Sequence, residues 1–268
     1  MTERTNDRTD AVLEQALAAL RHSRDHLAAV VGSMTGDEVE RPSYHSWSIA
    51  QVLSHLGSGA EIFRLRLAAG FPGGSSPGDD EIHPIRDRWD AKASQLQVRD
   101  ALAADDELVS AFTDAAATDD GSWRLDLFGS EQDLAGLVQM RLGEHALHTW
   151  DVAVALDPTV VLPDDAVALV VDRLAALAAW TGRPQPGLQV RVETTGAERV
   201  FLLAESGERA ELTAADPTAT GADLATLRLP AEAFVRLVYG RLDADHTPEG
   251  VQGDGLDLDD LRKVFPGP

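Results

Sequence analysis

Apolar residues recur at Val12, Leu13, Leu17, Leu20, Leu27, Val30 and Val31 with a helical rather than an alternating period, and predict a helix over residues 9–34. A polar stretch at 36–46, containing Pro42, reads as a connection. Ser48-Ile49-Ala50-Gln51 has the form of a capping box and opens a second helix, whose apolar face carries Val52, Leu53, Leu56, Ala60, Phe63 and Leu67. Residues 70–84, rich in Gly, Pro and Ser, are the clearest loop. A third helix is expected over 89–118, ended by Asp119-Asp120-Gly121-Ser122, and a fourth from a Ser130 cap to about residue 156. Four long helices at this spacing suggest an up-and-down bundle, in which sites are built from side chains on facing helices.

The pattern changes after Asp157-Pro158. Pro163-Asp164-Asp165 starts a helix over 166–180, which Gly182 and Pro184 stop. Strict alternation at 188–192 then marks a strand, with further short strands at 199–203, 209–212 and 224–229. Helices are expected over 230–242 and 256–265. The expected fold class is therefore α+β, with residues 1–157 forming the helical bundle and residues 158–268 a smaller α+β domain.

Composition narrows the functional classes. The formal net charge of −22 repels phosphate backbones and anionic membrane surfaces, so neither nucleic acid nor membrane is an expected partner. No apolar run approaches the length of a membrane span, and the polar N-terminus lacks the apolar stretch of a signal peptide, so a cytoplasmic location is expected. The chain has no cysteine, so any metal must be held by His, Asp or Glu, and any thiol chemistry must use a thiol that arrives as a small molecule.

One stretch offers such a metal site. Glu144 and His148 are four residues apart, which places them on one helix face within reach of a single ion. The stripe Leu137, Arg141, Glu144, His148, Asp151, Ala155 is charged, while the flanking faces are largely apolar. A helix apolar on most sides is normally buried, and interior charges need partners; a metal is one, and a water-facing stripe is the alternative. His55, in Leu53-Ser54-His55-Leu56-Gly57 on the second helix, is the candidate third ligand; a hydrogen-bonded packing role is its alternative. His145 points about 100° away from Glu144 on an ideal helix and is a poorer ligand. His22, His26, His45, His83 and His246 have no partner at ligand spacing and read as surface or loop residues.

Trp47-Ser48 with Val52-Leu53-Ser54-His55-Leu56, then Glu144-x-x-x-His148-x-Trp150-Asp151, resembles the N-terminal DinB-like bundle of the mycothiol-dependent maleylpyruvate isomerases. Ala225-Thr226-Leu227-Arg228-Leu229-Pro230, Leu237-Val238-Tyr239-Gly240-Arg241 and Val251-x-Gly253-Asp254 resemble the small C-terminal domain of the same family. The resemblance covers nearly the whole chain in order. It implies that His55, Glu144 and His148 bind zinc, and that Arg241 is an anion-binding residue. The 70–84 loop and Tyr44-His45-Ser46 depart from the family pattern and bear on substrate identity.

The expected cofactors are therefore Zn2+, or another divalent ion that an N2O donor set accepts, and mycothiol as thiol cosubstrate. The expected partners are that thiol and a small electrophile, with the chain a monomer or homodimer. A metal-bound thiol loses its proton and attacks an electron-poor carbon. Reversible addition to a cis double bond gives an isomerase, whereas a retained thioether gives an S-transferase for detoxification or natural-product assembly. A non-catalytic, metal-stabilised ligand-binding protein is the third class. Arg241 is a candidate carboxylate clamp, or alternatively a helix C-terminal cation. Arg141 is expected to bind substrate or to pair with Asp151 or another acid. Asp151 is expected to orient a ligand histidine. Trp47 and Trp150 read as packing residues.

Overall fold

The computed structural model describes residues 2–32, 34, 36–44, 46–217 and 224–267. These divide into two compact units, Met1–Val160 and Val161–Pro268. The first is helical and the second rich in strands, so the α+β expectation holds.

In the first unit the long helices are α1 (Thr2–Gly32), α2 (Ile49–Ala69), α4 (Ser94–Thr118) and α5 (Leu134–Ala153), with the shorter α3 (Asp79–Asp90) between α2 and α4. Helix α1 packs on α4 and α5, and α2 packs on the same two, which closes a ring of four. The capping box at Ser48 forms as expected: its hydroxyl accepts from the Gln51 amide, and the Gln51 side chain accepts from the Ser48 amide. All six predicted apolar residues of α2 are buried.

Three local expectations are corrected. The 70–84 loop ends early, because Asp79, Asp80 and Glu81 fill the first turn of α3, where carboxylates favour the positive end of the helix dipole. Pro84 is accommodated inside that helix, on its exposed side. The helix expected over 89–118 is broken at 91–93, so Trp89 belongs to α3. Ser130 is not a helix cap but lies in a hairpin of β1 (Leu125–Leu127) and β2 (Ser130–Gln132), turned by Phe128 and Gly129, both at positive φ. The cap of α5 is Asp133, whose carboxylate accepts from the Gly136 amide at 2.7 Å.

The second unit opens with α6 (Asp164–Val170) and α7 (Leu174–Thr181), joined by a tighter turn at Val171–Arg173. Its sheet contains β3 (Gln189–Thr195), β4 (Arg199–Ser206), β5 (Arg209–Ala214), β6 (Ala225–Pro230) and β7 (Gln252–Asp254) in the order β5-β4-β3-β6-β7. Only the β3–β6 pairing is parallel. Val190, Val192, Phe201, Leu203, Leu227 and Leu229 alternate inward, and α8 (Ala231–Val238) covers them, with the Phe234 ring 5.3 Å from that of Phe201. Helix α9 (Leu258–Val264) completes the unit. Among the described residues, no helix is long and apolar enough to cross a membrane.

Candidate metal centre

Helix α2 carries His55 and α5 carries Glu144 and His148, and the packing of these two helices brings the three side chains together. His55 Nε2 lies 3.4 Å and His148 Nε2 3.9 Å from Glu144 Oε2. One ligand atom from each residue lies within 4.8 Å of those of the other two. Donors of a tetrahedral zinc with bonds of 2.0–2.1 Å stand about 3.3 Å apart, so the trio needs only small movements to close on one ion. Among the described residues, no other group of three acids or histidines converges in this way.

The surroundings prepare each donor. Asp151, one turn beyond His148 and nearly buried, lies 2.9 Å from His148 Nδ1. Donation by Nδ1–H to that carboxylate orients the ring so that Nε2 is the nitrogen facing Glu144, free to act as a ligand once metal binding displaces any proton it carries. Burial pushes the Glu144 carboxyl up, but the His55 hydrogen bond and the charges of His148, His55 and Arg141 outweigh it and hold the pKa at about 2. Glu144 is thus a carboxylate at neutral pH, and with 44% of its side chain exposed it remains accessible from solvent. The Trp47 indole stacks on the His148 ring at 6.1 Å and lies 5.4 Å from the His55 ring. Half-exposed over two imidazoles, Trp47 covers the site as well as packing. Its place directly before the α2 cap is the sequence signal for this role. Trp150 does pack, its ring 5.1 Å from Tyr44 and its indole N–H donating to the Val160 carbonyl.

Arg141 takes an interior role. It is 1% exposed, and its guanidinium donates to Asp105 Oδ1 and the Leu56 carbonyl. Of the two roles left open by the sequence, the geometry realises pairing with an acid, and the acid is Asp105 of α4, not Asp151. Asp105 Oδ2 also lies 3.1 Å from His145 Nε2, while His145 Nδ1 meets the Ser23 hydroxyl of α1 at 2.8 Å. Both nitrogens of His145 are thereby engaged away from the metal ligands. Asp105 was not singled out in the sequence, because an acid among the many of α4 carries no spacing signal.

Arg241, in the second unit, is 5% exposed and donates from Nη1 to the Tyr239 carbonyl at 2.9 Å. His22 and His83 are exposed, while His26 and His246 are half-buried, the latter against Asp243. His45 lies outside the described residues.

None of the curated proteins matches the chain in sequence. Two crystal structures of the mycothiol-dependent maleylpyruvate isomerase, one of them a histidine-to-alanine mutant, are similar in fold. The mutant superposes with a TM-score of 0.64 at 15% identity, and the other with 0.62 at 16%, each over 90% of this chain and 92% of theirs. Residues 20–153, which include His55, Glu144 and His148, match the family model of the mycothiol maleylpyruvate isomerase N-terminal domain. The chain therefore belongs to the mycothiol maleylpyruvate isomerase N-terminal domain family.

Proposed function

We propose that the chain is a metal-dependent enzyme of the maleylpyruvate isomerase type, using mycothiol to convert a small cis-unsaturated keto acid into its trans isomer. The observation that carries this reading is the convergence of His55, Glu144 and His148 in a chain with no cysteine of its own. Two neutral imidazoles and a carboxylate suit zinc and other borderline divalent ions. Bound there, such an ion would supply the Lewis acidity that holds a thiol as thiolate at neutral pH. Reversible addition of the thiol to the double bond allows rotation about the resulting single bond before elimination to the trans product.

The residues of the chain have distinct proposed tasks. Asp151 keeps the proton of His148 on Nδ1, so that Nε2 remains a ligand. Trp47 shields the two imidazoles from water on one side. Arg141 positions Glu144 by tying α5 to α2 and α4. We propose Arg241 as a carboxylate-binding residue; its hydrogen bond to the Tyr239 carbonyl orders the guanidinium in advance.

The test is to incubate the protein with mycothiol and maleylpyruvate and follow the products. Thiol-dependent appearance of the trans isomer, with the thiol recovered unchanged, is expected. Stoichiometric accumulation of a thioether would instead identify an S-transferase, and no reaction would remove the proposal.

A further inference from the structure

Arg66 lies about three turns beyond His55 on α2 and therefore on nearly the same helix face. Side chains on a helix lean toward its N-terminus, which here is toward His55. The guanidinium carbon lies 5.2 Å from the centre of the Phe63 ring and 5.6 Å from that of Phe128. The Phe63 ring also contacts the interior Arg141, whose guanidinium carbon lies 5.8 Å from the ring centre. A row of side chains thus runs from the metal ligands through Arg141 and Phe63 to Arg66.

Among the described residues, no carboxylate makes a hydrogen bond or ion pair with the Arg66 guanidinium. The chain has 45 acidic against 23 basic residues, and many of its arginines pair with carboxylates. Two positions before it on α2, Arg64 pairs with Glu107; two positions after Arg86 on α3, Arg88 pairs with Glu61. Arg66 and Arg86 themselves make no hydrogen bond or ion pair through their guanidinium groups to any described residue. They are close enough to repel each other, and Glu144 is close enough to attract Arg66. Two neighbouring cations that no described carboxylate contacts directly, in a chain with a surplus of acids, form a site complementary to an anion from solution.

Phe128 supplies a second, independent observation. It sits at the tip of the β1–β2 hairpin with φ of 57°, a conformation that bulky side chains rarely adopt, and it is 76% exposed. Neither burial nor backbone preference accounts for an aromatic ring there. The ring does lie within cation–π distance of the Arg66 guanidinium, a contact that can restrain the planar cation.

We propose that Arg66, in contact with the rings of Phe63 and Phe128 and beside Arg86, binds a carboxylate of the electrophilic substrate and so selects organic acids for the metal centre. The identity of that substrate rests on the isomerase reading; the anion site does not.

The test is calorimetric titration with maleate, an unreactive cis dicarboxylate, of the metal-loaded wild type, Arg66→Ala, Arg66→Lys and Arg66→Met. Turnover of maleylpyruvate is measured on the same preparations. Replacing Arg66 by Ala or Met should raise the Kd for maleate by about tenfold or more, with a smaller rise for Lys and unchanged metal content. Arg66→Met keeps much of the side-chain packing and decides the question if the Ala variant does not fold. An Arg66-dependent Kd in a protein without isomerase activity would overturn the isomerase reading and leave the anion site standing. Maleate binding within twofold of wild type in a folded Arg66→Met protein would overturn the anion site, as would no maleate binding by the wild type.

Discussion

His148 is useful as a ligand because of what its other nitrogen does. With Nδ1 donating to Asp151, Nε2 is the nitrogen left facing Glu144, and the hydrogen bond restrains the ring in that orientation. Asp151→Asn keeps the shape but weakens this restraint, and should lower divalent-metal affinity by about 10–100-fold, as read by competition with a chromogenic chelator. Unchanged affinity would mean that the Asp151 carboxylate does not set the ligand geometry of His148. Glu144, held at about pKa 2, contributes its charge throughout the neutral range, so Glu144→Gln should lose metal at pH values where the wild type keeps it. The Glu144 and His148 pair was legible in the sequence because helical spacing is a rigid ruler, whereas His55, on another helix, was reached only as a candidate supported by the family resemblance. Arg66 was not, because what distinguishes it is an absent partner, and only folding decides which acids Arg64 and Arg88 claim.

Helix α5 owes its alignment to an interior ion network. Burial pushes the Asp105 carboxyl up, but the charges and hydrogen bonds of Arg141 and His145 pull it further down, so its folded pKa is below the ordinary carboxylate value. A depressed acid stabilises the fold above its unfolded pKa of about 3.9, and that contribution fades as pH falls below it toward the folded value. Asp105→Asn should therefore destabilise the protein by about 3–5 kcal/mol at pH 7 in chemical denaturation, with the difference from wild type shrinking in acid. A pH-independent difference would point to packing alone. A second contact of this scale is Gly57 of α2, where an added Cβ would come within 2.3 Å of the Trp89 ring. Gly57→Ala should cost about 1–3 kcal/mol by displacing that buried indole. The long helices and the strand alternation of β3 were readable from apolar period. The β1–β2 hairpin was not, since three-residue strands are too short to establish an alternation, and Ser130 before an apolar run mimics a cap.

The whole chain carries a net charge of −22, and most of its arginines are already paired, so the surplus acids repel one another. Raising NaCl from about 10 to 150 mM should screen this repulsion and raise the thermal midpoint; a fall would show that the surface ion pairs outweigh it. The same surplus makes the concentration of arginines near the metal ligands more telling, since nothing in the composition favours cations there. The chain belongs to the mycothiol maleylpyruvate isomerase N-terminal domain family, and the proposed chemistry depends on the three converging side chains of the first unit. The most direct measurement is elemental analysis of the purified protein after dialysis, beside His55→Ala and Glu144→Gln shown to be folded by circular dichroism. One divalent ion per chain in the wild type, with little in either variant, is the predicted result. A wild type that holds no divalent ion after reconstitution, or variants that retain the full complement, would contradict the account.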